Sequence, residues 1–173
     1  MLAGTAALLL RGGGSAHYLS LFPPGVTPQN LSEKAFGVLC VFCDRIAPEK
    51  DAADPGRPDA REARLAERID RELGFHTPKM QRDLELALQA LEHAGVLHLS
   101  TARFTQLPVE RQTLLLQKMA EGLDVERQVF NALKGLALFF FYADERSWKG
   151  IGYAGPQPGI NRKPPVAEPK QAG

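Results

Sequence analysis

Thr27-Pro28-Gln29-Asn30-Leu31-Ser32-Glu33-Lys34-Ala35-Phe36-Gly37-Val38-Leu39-Cys40-Val41-Phe42-Cys43-Asp44-Arg45-Ile46-Ala47-Pro48 is the stretch that decides the fold class. Leu31, Ala35, Val38, Leu39, Phe42 and Ile46 recur at three- and four-residue intervals, which places them on one face of an α-helix. Thr27 suits the cap. Pro28 suits the first helical position, where its missing N–H costs no hydrogen bond. Pro48 stops the helix.

Working outward, the same punctuation recurs. Residues 48–60 are rich in Pro, Asp and Gly and predict a loop. Asp59 caps a second helix through Leu73, with Ala63, Ala66, Ile69 and Leu73 inward. Its other side alternates in charge (Arg61, Glu62, Arg64, Glu67, Arg68, Asp70, Arg71, Glu72) and predicts a solvated face with close ion pairs. Thr77-Pro78 starts a third helix carrying Met80, Leu84, Ala87, Leu88 and Leu91, closed by Gly95. Val96, Leu97, Leu99, Phe104 and Leu107 anchor a short connection. Pro108 opens a fourth helix with Leu115 and Met119 inward, ended by Gly122. Asp124 caps a fifth, with Val125, Val129, Leu133, Leu136, Ala137 and Phe140 inward. The expected fold is all-α, a small irregular bundle of about five helices with an extended, aromatic-rich C-terminal segment. The expected organisation is an export-signal remnant and linker over 1–26, a helical domain over 27–142 and a partner-binding segment over 143–173.

Composition agrees. The 173 residues predict one domain. Leu (24) and Ala (22) far outnumber Val (8), Ile (4) and Thr (6), which favours helix over sheet. A net charge of +1 provides no field to draw in nucleic acid or an anionic membrane. No apolar run reaches the roughly 18 residues of a membrane span. No internal repeat is visible.

Met1-Leu2-Ala3-Gly4-Thr5-Ala6-Ala7-Leu8-Leu9-Leu10 is apolar and small, with a small-residue cleavage signal near Ala16. It reads as the apolar part of an export signal lacking its charged start, or as an N-terminal helix packed on the body. Residues 11–30 predict a loop. Cys40 and Cys43 have the spacing of a redox pair. They lie deep within an apolar helix, where a thiol is inert. Structural thiols, a disulfide, and thiol redox catalysis are the three readings. His17, His76, His93 and His98 form no metal pattern, and no phosphate-binding glycine loop occurs. Carboxylates are scattered, so the residues single out no catalytic, cofactor-binding or metal site.

Leu138-Phe139-Phe140-Phe141-Tyr142 is apolar all round, unlike a surface helix. It predicts either a core-central helix end or contact with another protein, with core burial favoured for Phe140. Trp148, Ile151 and Tyr153 follow among glycines and prolines. They either close this domain's core or clasp a partner, since aromatic anchors dominate interface energies.

Leu91…Gly95-Val96-Leu97…Phe104-x-x-Leu107-Pro108-x-Glu110-Arg111, then Phe130-x-x-Leu133-Lys134-x-Leu136, Ala143-Asp144-Glu145 and Ile151-Gly152-Tyr153-x-Gly155-Pro156 form an ordered set. With Leu39…Phe42-x-Asp44-x-Ile46-x-Pro48, they resemble the gluconate 2-dehydrogenase subunit 3 family over roughly residues 31–156. The resemblance implies a small helical protein that binds no cofactor itself. Its partner would be a large FAD-containing dehydrogenase subunit of the glucose-methanol-choline (GMC) type, with a multihaem cytochrome c (haem c) as a third subunit. Many such proteins carry a twin-arginine signal and escort the folded partner to the periplasm. No twin arginine precedes Leu2–Leu10, so the stretch is expected to be the remainder of such a signal. The expected partner interface is Phe139, Phe141, Tyr142, Trp148, Ile151, Tyr153 and Pro156. The rival expectations are a thiol–disulfide protein using Cys40 and Cys43, and a free-standing helical adaptor.

Overall fold

The computed structural model describes residues 16–155, apart from 51, 53 and 99–101. The apolar stretch over 2–10, Leu99, Pro156 and the tail to 173 lie outside the described residues. Five α-helices lie wholly within the described residues: α1 (Glu33–Ile46), α2 (Leu65–Leu73), α3 (Pro78–Leu97), α4 (Val109–Glu121) and α5 (Asp124–Tyr142). Short 3₁₀ turns follow at Phe104–Gln106, Glu145–Ser147 and Lys149–Ile151. No strand occurs among the described residues, and the fold is all-α.

α1 is the central helix. Residues 35 to 43 are buried without interruption, so the expected single buried face is corrected to burial all round. α2, α3, α5 and the turn at Phe104 all pack against it. Its start is also later than Thr27. Ser32 caps it by accepting the Ala35 N–H at 3.3 Å. Phe36, Phe42, Phe104 and Phe141 are fully buried. Each such side chain contributes about 1.5–3 kcal/mol relative to exposure.

The chain ahead of α1 is part of the body, which corrects the linker assigned up to residue 26. A helical turn covers residues 16–19, and Tyr18 is buried, with Leu21, Phe22 and Val26 packed beside the core. Tyr18 lies so close to α1 that a Cβ on Gly37 would stand 3.2 Å from its ring and from its carbonyl. Glycine at 37 is what allows that approach.

The second expected helix is interrupted. Asp59 does cap a turn, accepting the Arg61 and Glu62 amides at 2.9 and 2.8 Å. Arg64 then turns left-handed (φ 53°) and α2 begins after it. That reversal lets Ala60 and Ala63 on one side of the break, and Leu65, Ala66 and Ile69 on the other, all reach the interior. α3 starts at Pro78, with Thr77 Oγ1 accepting the Met80 amide at 3.3 Å, and runs through Gly95 rather than ending there. α4 follows Pro108 as expected, with Leu115 and Met119 buried. α5 is rotated from its expected pose. Phe130, Leu133, Ala137 and Phe141 face the core, while Val125 is 72% exposed. Its leading amide, from Leu123, is met by Glu126 at 3.3 Å rather than by Asp124.

Candidate interaction surface

Two buried carboxylates hold the N-terminal arm, and neither stands out in the sequence. Asp70 belongs to the charge run expected to be solvated, yet it is 2% exposed. Its oxygens accept the backbone amides of Gln29, Asn30 and Leu31 at 2.6, 3.0 and 2.8 Å. The Asn30 side-chain amide donates to the Asp70 carbonyl at 2.7 Å. These bonds hold residues 29–31 over Asp70, and α1 begins after them, at Glu33. Glu92 is fully buried. It accepts from the Tyr18 hydroxyl (2.8 Å), the Thr105 hydroxyl (2.8 Å) and the Thr105 amide (3.1 Å). Arg103 donates to the Tyr18 oxygen at 3.1 Å. Burial first, and then the Glu92 carboxylate, push the Tyr18 phenol above its usual range. Both carboxylates obey the rule that buried charge must be hydrogen-bonded.

Cys40 and Cys43 are free and buried thiols in this structure. Burial pushes the Cys40 thiol up to about 12 and raises Cys43 well above its ordinary value. A nucleophilic or resolving thiol needs the opposite environment. The geometry therefore supports the structural reading of the pair.

The C-terminal aromatic segment closes on its own chain. After α5, Asp144 accepts the Arg146 amide at 3.1 Å and pairs with the Arg146 guanidinium at 2.9 and 2.7 Å. That hydrogen-bonded pairing holds the Asp144 carboxyl below its ordinary range. Arg146 also donates to the Glu62 carbonyl at 3.1 Å, and Lys149 lies 3.7 Å from Asp54. The Trp148 indole N–H donates to the Tyr142 carbonyl at 2.7 Å, and the Tyr153 ring meets it edge-on at 5.0 Å. Gly155 (φ 96°) lies against the indole, where a Cβ would stand 3.2 Å from the ring. Residues 145–151 are thus two tight turns, not the extended segment expected.

The expected interface residues separate accordingly. Phe141 is fully buried, which removes it from any interface, because α5 turns that position into the core. Phe140 is half-buried under the Arg68 guanidinium, 5.7 Å from its ring centre. Tyr142 and Trp148 are half-buried, and Trp148 spends its N–H within the chain. Phe139, Ile151 and Tyr153 remain at the surface, with Phe139 the most open at 69% exposure.

Phe139 forms the lip of an apolar groove of about 630 Å³ between α2, α3 and α5. Ile69, Leu73 and Leu133 are its buried floor. Leu84, Ala87, Leu136 and Phe140 form half-buried walls, and Met80 is exposed at the edge. Its polar lining residues are Glu72, His76 and Asp83. Met80, Leu84 and Ala87 belong to the apolar stripe expected on the third helix, and the structure sets them along the groove. The available signal was that the stripes of α3 and α5 carry more apolar width than one central helix can cover.

These elements span the region in which one comparison with known proteins succeeds. A family model described as gluconate 2-dehydrogenase subunit 3 matches residues 33–155. No curated protein and no solved structure is significantly similar to the chain. The match takes in all five α-helices and the closed C-terminal turns, ending at Gly155, whose left-handed backbone seats the indole. The chain belongs to the gluconate 2-dehydrogenase subunit 3 family.

Proposed function

We propose that this chain is the non-catalytic small subunit of a periplasmic FAD-dependent dehydrogenase complex of the GMC type, acting on a sugar or alcohol. It stabilises the catalytic flavoprotein and assists its export by the twin-arginine route. A multihaem cytochrome c completes the complex and accepts the electrons. Family membership supports the association with a dehydrogenase. The observation that carries the reading is the open apolar groove beside Phe139. An apolar groove of that kind, with Phe139 69% exposed at its lip, marks a contact site. No helix among the described residues is long and apolar enough to cross a membrane. On this reading the chain reaches a membrane only through its partners.

The test is affinity capture of the tagged full chain from its native envelope fraction, with flavin absorbance read in the eluate. A stoichiometric flavin-bearing partner is expected. A colourless monomer would overturn the reading in favour of a free-standing adaptor. Production of the large subunit without this chain is expected to give little FAD-loaded enzyme.

A further inference from the structure

We propose that the groove between α2, α3 and α5 seats an apolar helix of the flavoprotein subunit that carries basic residues beside its apolar anchors. The proposal rests on the subunit reading above and adds where, and by what chemistry, the large subunit is held.

The occupant is helical because of the groove's walls. All three are α-helices whose backbone groups are paired internally. The floor is Ile69, Leu73 and Leu133, with no polar atom to offer. An extended segment laid there would bury its own N–H and C=O groups unpaired, at a cost comparable to lost hydrogen bonds. A helix brings its backbone already satisfied. The stretch of α5 that lines the groove, residues 132–140, spans about 12 Å at 1.5 Å per residue, about two helical turns. That length takes two or three anchors at the i, i+3/i+4, i+7 spacing of a helix laid in a groove.

Charge complementarity selects the flanks. The charged side chains that line the groove are the carboxylates Glu72 and Asp83, with no Lys or Arg among the lining residues. Asp83 also meets Lys79 at 2.5 Å across one turn of α3. Both groups of that pair are more than half exposed, so it is weak and exchangeable for an incoming cation. Glu72 has His76 at 3.8 Å, a full counter-charge only when protonated. Two weakly countered carboxylates thus stand beside the apolar floor, with Arg68 over the Phe140 wall, and they favour basic residues next to the occupant's apolar anchors.

The C-terminal turns are the weaker surface. Trp148 and Tyr153 pack on each other, and the indole N–H is already bonded.

The experiment uses the full chain in its native host with photoreactive benzoylphenylalanine at position 139 or, separately, at 153. From position 139, the cross-linked peptide is expected to come from the flavin-bearing chain, in an apolar segment with Lys or Arg within one turn. Position 153 is expected to give little of that product. Ala132→Glu and Phe139→Glu alter exposed side chains and are expected to leave the unfolding midpoint unchanged. They should cut flavin co-elution by about 30-fold or more, the loss that follows removal of an interface hot spot. Asp83→Lys should cut it by about tenfold and weaken its salt dependence.

Undiminished flavin co-elution from both groove variants would overturn this proposal and leave the subunit reading standing. Cross-linking to a second copy, or to residues 1–15 of this chain, would replace the occupant. Loss of flavin from the unaltered chain itself would overturn both.

Discussion

α2 presents two faces built from adjacent residues and opposite in chemistry. On one face Asp70 is buried, and three backbone amides surround its carboxylate. On the other, Ile69 and Leu73, themselves 1% and 5% exposed, form the buried apolar floor beneath the groove that Phe139 borders. The first face holds a carboxylate met by three amide donors, and the second holds hydrocarbon under the groove. Polarity does not sort these residues into inside and outside, since both kinds are interior; what differs is what packs over them. A buried carboxylate is tolerated where it is hydrogen-bonded, and apolar side chains left open above a buried floor, as at Phe139 and Met80, mark a contact face.

The same division runs through α5. Phe139, Phe140 and Phe141 are consecutive, yet they are exposed, half-buried and fully buried in turn. A helix rotates successive side chains by about 100°, so three neighbours cannot share one environment.

The sealed side predicts the largest effect. Cys40 and Cys43 should react with a thiol reagent at pH 8 about a thousandfold more slowly than free cysteine, and fully on unfolding. That factor follows from a Cys40 thiol held at about 12 against an ordinary 9.0. Reaction at the free rate in the folded state would show that the interior is open and would restore the redox reading.

The aromatic run offers the next test. Phe141→Ala should cost about 3–5 kcal/mol in urea denaturation, as a fully buried ring leaves a cavity. Phe139→Ala should change stability by no more than about 0.5 kcal/mol. Equal costs would erase the difference between the two faces.

Asp70→Ala comes next, at about 2–4 kcal/mol, because it strands the buried Leu31 amide and the part-buried amides of Gln29 and Asn30. Amide exchange at those positions should accelerate with it. An unchanged midpoint would mean that water replaces the carboxylate and that the buried charge is incidental.

Tyr18→Phe is the mildest, at about 1 kcal/mol, since Glu92 keeps both Thr105 donors. Its sharper readout is pH. The folded phenol titrates above its unfolded value. Its contribution is therefore complete below the unfolded value and lost as the pH rises through the folded one. The variant should lose part of the alkaline decline in stability that the unaltered chain shows above about pH 10.

Much of the architecture was legible in local signals. Pro78 and Pro108 stand at helix starts, where a missing N–H costs nothing, and Gly74 and Gly122 follow helix C-termini. The errors share one physical origin. Thr27-Pro28 reads as a helix start, but the amides after it bond to a carboxylate 40 residues downstream. Asp59–Leu73 reads as one helix, but packing on both sides of Arg64 breaks it. For Trp148 and Tyr153 the residues left core closure and partner contact both open; in the structure they pack on Tyr142 and each other, with Tyr153 47% exposed.

The sequence by itself determined the helical class, most of the helix ends, the burial of Cys40 and Cys43, and, through the ordered motifs ending in Gly155, the family. Each depends on residue type, on spacing within one helix or on local order. Only the tertiary structure decided which carboxylates are interior, that the C-terminal aromatics close on their own chain, and that Phe139 borders an open groove. Those outcomes depend on which elements meet. Asp70 is buried because residues 29–31 arrive over it, and the groove stays open because no described segment crosses α2, α3 and α5.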